Sequence, residues 1–387
     1  MKAPALDAAL QDARRHTLAL FDALAASGYD RSAQVPRLAI LNPPLWELGH
    51  AAWFAEWFVL REARSSRPGD ARAPSLLAGA DALFDSNTVA HDARWTLDLP
   101  DAAALVDYGR AVLDQIRERL ACAPDTDAGL YPYRLVLGHE DMHGEALLYT
   151  MQTLGVAAPA SFPDEAQPAG EIAFAGGEFL RGGEQSRGFV FDNERPAAPC
   201  QVAPFTIDAG LVANADFLRF MHAGGYRQPQ YWSEGGRAWL AQTGRAAPRY
   251  WRQEADGSWR ELRFGRSLAL VPGAPVRHVS LHEAQAYCSW AGRRLPLEEE
   301  WEYTACAGEA DFHWGQLWEW TASRFLPYPG FSADRYREYS GPWFGTRQTL
   351  RGASFATPPR LRSPHFRNFY TPERDDIFAG FRTCAAG

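Results

Sequence analysis

The sequence has no Cys-x-x-Cys pair, and its five cysteines (Cys122, Cys200, Cys288, Cys306 and Cys384) are an odd number. Both facts argue against a secreted disulfide framework and favour a reducing compartment. A basic surplus is also missing: 39 Lys and Arg stand against 47 Asp and Glu, for a formal net charge of -8. Without a basic field to collect phosphates, neither a nucleic acid nor an anionic membrane is an expected partner. No apolar run reaches the roughly 18 residues that mark a membrane-spanning helix. The opening stretch MKAPALDAALQDARRHTLALFDALAA is amphipathic and carries acids, unlike the continuous apolar segment of a signal peptide. A soluble cytoplasmic protein is the expectation. Tandem repeats and low-complexity tracts are absent too, so the chain reads as ordinary globular sequence.

At 387 residues the chain is longer than one hydrophobic core usually serves, and two domains are expected. The two halves differ in style. Up to Leu154 the sequence is rich in Ala and Leu, with apolar residues recurring at three and four. Leu6, Leu10, Leu20, Phe21 and Leu24 mark one helix, and Trp46, His50, Trp53 and Trp57 a second. Others are predicted over roughly Ala102 to Ala121 and Pro132 to Thr153, with Asn42-Pro43-Pro44 as a start signal and Gly155 as a stop. Together they predict a four-helix bundle over residues 1–155. A stretch rich in Pro, Ala and Gly, 156–170, reads as a linker. Beyond it, over 171–387, Gly, Trp, Tyr, Phe and Arg become frequent and the apolar runs short, which predicts strands and long ordered loops with a brief helix at Ser280 to Gly292.

The segment LGHEDMHGEALLYTMQ contains His-Glu-x-x-His, the signature of a zinc protease. On a helix His139 and His143 lie one turn apart on one face, the spacing two imidazoles need to share a cation. Leu135, Met142, Ala146 and Thr150 share that face, so it points into the bundle. His50 lies on the inward stripe of the second helix, with Trp46, Trp53 and Trp57 at -4, +3 and +7. A lone histidine on an apolar face is more often a hydrogen-bonded core residue than a ligand; together the three predict a metal site in the bundle core. A zincin would take its third ligand downstream and use Glu140 as base, whereas here the third candidate is upstream and Glu140 reads as a structural or outer carboxylate. Three imidazoles with open positions suit iron(II) as well as zinc.

LNPPLWELGHAAWFAEWFVLR followed by LGHEDMHGEALLYTMQ resembles the iron-binding, DinB-like helical domain of the ergothioneine sulfoxide synthases. GGEFLRGG, PVRHVSLHEAQAYCSWAGRRLPLEEEWEYTA, LWEWTASRFLPYPGF and LRGASFATPPRLRSPHFRNFYTPERDDIFAGFR resemble the C-type-lectin-like domain of formylglycine-generating enzymes. The resemblance implies an α+β chain: a DinB-like bundle, then a formylglycine-generating-enzyme-type domain. It further implies that His50, His139 and His143 hold a nonheme iron(II), which with dioxygen joins a sulfur or selenium donor to the imidazole C2 of hercynine, in the cleft between the domains.

By the same resemblance, Asn368 matches a hercynine-contacting asparagine and Phe369 an aromatic of that pocket, with Trp318 or Trp53 as further candidates for a cation-π contact. Tyr328, in FLPYPGF, falls where the family places an active-site tyrosine able to give a proton. Departures concern the donor. Met142 replaces a glutamine, Tyr370 stands where an aspartate recognises a thiol donor, and an arginine-rich segment is shortened to FDSNTVAHDARW, leaving mainly Arg94. With the ending RDDIFAGFRTCA, these departures resemble the selenoneine synthase branch, whose donor is a selenosugar; Tyr370, Ser86, Asn87 and Arg374 are then candidates to bind sugar hydroxyls. The ergothioneine-type alternative joins hercynine to cysteine or γ-glutamylcysteine, and the zinc peptidase is a more distant one. Glu298, Glu299 and Glu300 read as a solvated, architectural charge run.

Overall fold

In the computed structural model, which describes residues 1–65, 67, 69–184 and 189–386, the apolar stripe of the opening segment folds as α1 (Ala3–Ala26) with Leu6, Leu10, Leu20, Phe21 and Leu24 buried. Pro43 caps α2 (Pro44–Ala55), every residue of which is buried. A wider π-helical turn continues it over Glu56–Leu60. That turn keeps Trp57 inward, its indole N–H donating to the Ser65 carbonyl at 2.9 Å. A short helix α3 (Ala80–Phe84) follows. Then come α4 (Ala102–Ala121), started by the Asp101 side chain accepting from the Ala104 N–H, and α5 (Asp127–Leu154), which ends at left-handed Gly155.

The start of α5 departs from expectation. Thr126 caps it by accepting from the Gly129 N–H, so the helix begins before Pro132 and carries that proline within it. The Thr126 cap sets the helix start, and the proline, beyond the first turn, forgoes the one bond that an N–H there would have made to the Ala128 carbonyl. Among the described residues no helix is long and apolar enough to cross a membrane.

The chain divides into two units. The first comprises Met1–Pro159, Glu184–Asp192 and Ser332–Pro342, so two later segments join the helices. The second comprises Ala160–Gly183, Asn193–Phe331 and Trp343–Gly387.

In the second unit β1 (Glu171–Phe174) and β2 (Gly177–Arg181) open the chain, followed by β3 (Ala198–Val202), β4 (Phe205–Asp208), α6 (Asn214–His222) and α7 (Glu234–Thr243). A three-stranded antiparallel meander comes next: β5 (Trp251–Gln253), β6 (Trp259–Arg263) and β7 (Arg266–Ala269). The predicted brief helix is α8 (Leu281–Ala291), bracketed by a Ser280–Glu283 capping box and left-handed Gly292. After it run β8 (Arg293–Arg294), α9 (Glu298–Ala307), β9 (Trp318–Arg324), β10 (Gln348–Arg351), β11 (Asn368–Tyr370), β12 (Ala379–Gly380) and β13 (Cys384–Ala385). One sheet has the order β1-β4-β13-β8, a second β11-β10-β9-β12, and β2 pairs with β3. The α+β class is as expected.

Strands this short leave little ladder, and buried ion pairs tie the loops instead. Arg382 grips Glu319, its Nη2 lying 2.9 Å from Oε1, with both side chains fully buried. Arg367 meets Glu298 at 3.0 and 3.1 Å. The acidic run is therefore architectural but not a solvated face: Glu298 and Glu300 are buried, and Glu300 is held by Arg294 at 2.7 Å. Their charge suits the interior only because each acid has a fixed guanidinium partner.

Candidate metal centre

Helices α2 and α5 pack together and bring His50, His139 and His143 to one point, where one ligand atom of each lies within 4.8 Å of the others. His139 and His143, one turn apart, face each other with their Nε2 atoms at 3.2 Å. The other nitrogens are largely spoken for. His143 Nδ1 lies 2.7 Å from Glu47 Oε1, and His50 Nδ1 lies 2.7 Å from the Phe84 carbonyl. Both partners accept, so each Nδ1 carries the proton and each Nε2 presents a lone pair. Burial first, then the neighbouring imidazoles, holds His50 and His139 well below the ordinary histidine value, in the neutral form that binds metals.

The residues fit a cation. Ligands at about 2.1 Å in neighbouring coordination positions stand about 3.0–3.4 Å apart, the range of the observed pair. His139 stacks on Phe54, rings 3.5 Å apart and 3° from parallel, and its buried Nδ1 has no hydrogen-bond partner among the described residues. Its Nε2 is then its one polar outlet, aimed at the cluster. Three imidazoles with no carboxylate among them would hold a divalent ion without offsetting its charge and would leave it open positions.

The surroundings follow from local sequence. Trp46 stacks on His50 at 4.8 Å, and the Arg94 guanidinium lies 3.9 Å above Trp46 while donating to Asn42 Oδ1 at 2.6 Å. Gly49 lets α3 approach α2: a Cβ there would stand 2.2 Å from Phe84 Cε1. That close approach delivers the Phe84 carbonyl to His50. Trp53 donates to Asp81 at 2.8 Å and packs in the core of the bundle.

Glu140, the acid of the His-Glu-x-x-His motif, pairs with Arg14 of α1 at 2.9 Å, both side chains 6% exposed. It is committed to the helix packing rather than free as a base for metal-bound water. The structural reading of Glu140 holds, and the peptidase reading loses its general base.

Other sequence-predicted residues are distributed as follows. Met142 lies in the first unit and accepts from the Tyr339 hydroxyl at 3.5 Å. Asn87 and Ser86 follow Asp85, whose carboxylate accepts from the Asn87 N–H at 2.9 Å. In the second unit Tyr328 is buried between two guanidinium groups, Arg181 and Arg367, each 4.2 Å from its ring. Trp318 is buried there too, edge-on to Phe366. Asn368, Phe369 and Tyr370 form β11. Strand alternation sends Asn368 and Tyr370 to one face and Phe369 to the other, where it stacks on Phe325 at 4.1 Å. Arg374 lies 4.8 Å from the Tyr370 ring and clasps Asp376 at 2.6 and 2.7 Å.

The tyrosine beside the histidines is Tyr336, which the sequence reading passed over for Tyr328. Its ring stands 5.9 Å from His139 and 4.8 Å from Phe54, edge-on to both. Burial, helped by the charges of Glu338, Asp85 and Asp192, pushes its phenol far above the ordinary tyrosine value. It therefore stays protonated. Asp192 anchors the segment that carries it, accepting from the Asp334 N–H at 3.3 Å and from the Ser340 hydroxyl. Glu47 was also missed: its partner is His143 on α5, 96 positions away, and helical spacing within α2 carries no signal for a contact between helices.

Residues 9–151 match the DinB superfamily, and 157–316 the sulfatase-modifying factor enzyme 1-like domain. The hercynine oxygenase of Mycolicibacterium smegmatis is 31% identical over 89% of this chain and 91% of its own. That of Mycolicibacterium thermoresistibile is 32% identical over 96% and 93%. The formylglycine-generating enzyme of Thermomonospora curvata is 36% identical over 38% of this chain and 52% of its own. With the helical part and the sulfatase-modifying-factor part in one chain and identity sustained along nearly all of it, this protein belongs to the hercynine oxygenase family of enzymes.

Proposed function

We propose that the protein is an iron(II)- and dioxygen-dependent enzyme that joins a chalcogen donor to the imidazole C2 of hercynine, and that the donor is a selenosugar. The observation that carries the metal chemistry is the convergence of His50, His139 and His143 with Glu47 and the Phe84 carbonyl behind them. Bound there, iron(II) would supply dioxygen activation and a position for the chalcogen. The chain's own residues do the rest. Glu47 and Phe84 fix the ring orientations, Phe54 and Trp46 wall the imidazoles from water, and Tyr336 holds a proton beside the cluster at a phenol that does not ionise near neutral pH.

The donor reading is supported by what the arginines are doing. Arg94 is stacked on Trp46 and bonded to Asn42, and Arg374 is clasped by Asp376. Neither is a free clamp for an amino-acid carboxylate, and Tyr370 beside Arg374 offers a hydroxyl suited to a sugar. The similarity to hercynine oxygenases supports oxidation of hercynine with either donor, and the second reading keeps cysteine or γ-glutamylcysteine as the donor.

One experiment separates them: the enzyme, loaded anaerobically with iron(II), receives hercynine, oxygen and in parallel a selenosugar, cysteine or γ-glutamylcysteine, with products read by mass. A selenium adduct of hercynine is the expected result. A sulfoxide formed only with a thiol donor would overturn the selenium reading, and no consumption of hercynine with any donor would overturn both.

A further inference from the structure

The first unit carries a cavity of about 530 Å³ away from the histidines, lined by Arg64, Arg72, Arg119 and Arg335, with Glu62 the one acid in that lining among the described residues. The chain as a whole has a net charge of -8, so four arginines around one opening are a local reversal of sign. Glu62 is shared between two of them, 3.4 Å from Arg72 and 3.3 Å from Arg119. Arg64 and Arg335 have no carboxylate partner among the described residues; the Arg335 guanidinium lies 5.9 Å over the Tyr131 ring. The lining therefore carries a formal surplus of three positive charges, set over an apolar floor that includes Phe58, Val59 and Pro132.

We propose that this cavity binds a small organic anion with two or more negative charges, a phosphate ester or a polycarboxylate. Its volume lies within the range of roughly 300–1,000 Å³ typical of small-molecule sites. Guanidinium groups match the paired oxygens of either anion, and the apolar floor takes the carbon skeleton. The site also has a route to the histidine cluster. Phe58 in its floor packs 4.6 Å from Phe54, the ring that stacks on His139, and Arg335 immediately precedes Tyr336. An occupant would bear on both.

The test is calorimetric titration of the full chain at constant ionic strength with pyrophosphate and, separately, citrate, for the wild type and the Arg64→Gln/Arg335→Gln double variant. These two arginines are chosen because their removal breaks no ion pair seen in the structure; an unchanged melting temperature confirms that the variant folds. Saturable one-to-one binding in the wild type, weakened tenfold or more in the variant, is the expected result. Binding of pyrophosphate alone assigns phosphate esters, citrate alone polycarboxylates, and both assigns recognition by charge. Absence of saturable binding for either anion, or binding that the folded variant retains in full, would overturn the proposal. Because the readout is binding without hercynine or iron, its failure leaves the proposed function untouched.

Discussion

Glu47 Oε1 lies 2.7 Å from His143 Nδ1, and this carboxylate is 1% exposed. A buried carboxylate is costly unless a fixed donor satisfies it, and here the donor is the far side of a candidate metal ligand. The pair therefore couples helix packing to metal affinity: the acid selects the tautomer and raises the basicity of the nitrogen that faces the cluster.

Replacing Glu47 with Gln should weaken iron(II) binding about 10- to 100-fold, the usual cost of losing an outer carboxylate behind a ligating histidine. Competition with a chelator of known affinity measures it. Wild-type affinity in a correctly folded variant would show that the contact is packing alone.

Tyr336→Phe should retain iron(II) while lowering turnover about 10²- to 10⁴-fold, the range for removing a positioned proton donor. Single-turnover rates with hercynine and donor, alongside metal content, separate the two effects. The matching Tyr328→Phe change removes a hydroxyl that lies 3.5 Å from Glu302 inside the second unit. It should cost stability more than rate.

The Gly49→Ala change puts a methyl against the buried Phe84 ring. Displacing α3 should cost about 1–3 kcal/mol in unfolding free energy, as overpacking does, and should lengthen the Phe84–His50 contact. Denaturant unfolding reads the first effect and iron(II) affinity the second.

Glu140→Ala leaves Arg14 buried without its partner and should destabilise the bundle by about 3–5 kcal/mol, a loss visible in thermal unfolding. Glu140→Ala/Arg14→Met should recover much of it. Recovery of stability together with iron-dependent turnover would confirm that the acid of the His-Glu-x-x-His motif is structural.

Burial raises the Glu283 carboxyl to about 7, with the charge of Asp375 adding to it. A raised carboxyl stabilises the fold fully below the unfolded value of 4.5, and that contribution is lost as pH rises through about 7. The loss is on the order of 3 kcal/mol. Glu283→Gln cannot ionise, so its unfolding free energy should rise relative to wild type between pH 4.5 and 8. A pH-independent difference between the two would refute the linkage.

Much of the helical unit was legible because its information is local. The three-and-four spacing of Leu6, Leu10, Leu20 and Leu24 needs only the helical period, and so does the shared face of His139 and His143. The brief helix expected at Ser280 to Gly292 is α8, Leu281–Ala291, with those two residues as its caps. The start of α5 was misplaced because two local signals competed, a proline and a threonine cap, and only the folded chain shows which one prevails.

The sequence by itself determined the periodic helices, the change of style near residue 155 and the histidine types and spacing from which a metal site could be inferred. Tertiary structure decided what stands beside them. Tyr336 reaches His139 because Asp192 ties its segment to the helical unit from more than 140 positions away in the chain. Glu298 is buried because Arg367 folds onto it from 69 positions away. Such contacts join residues whose pairing depends on the path of the whole backbone, and no local period or cap encodes that path.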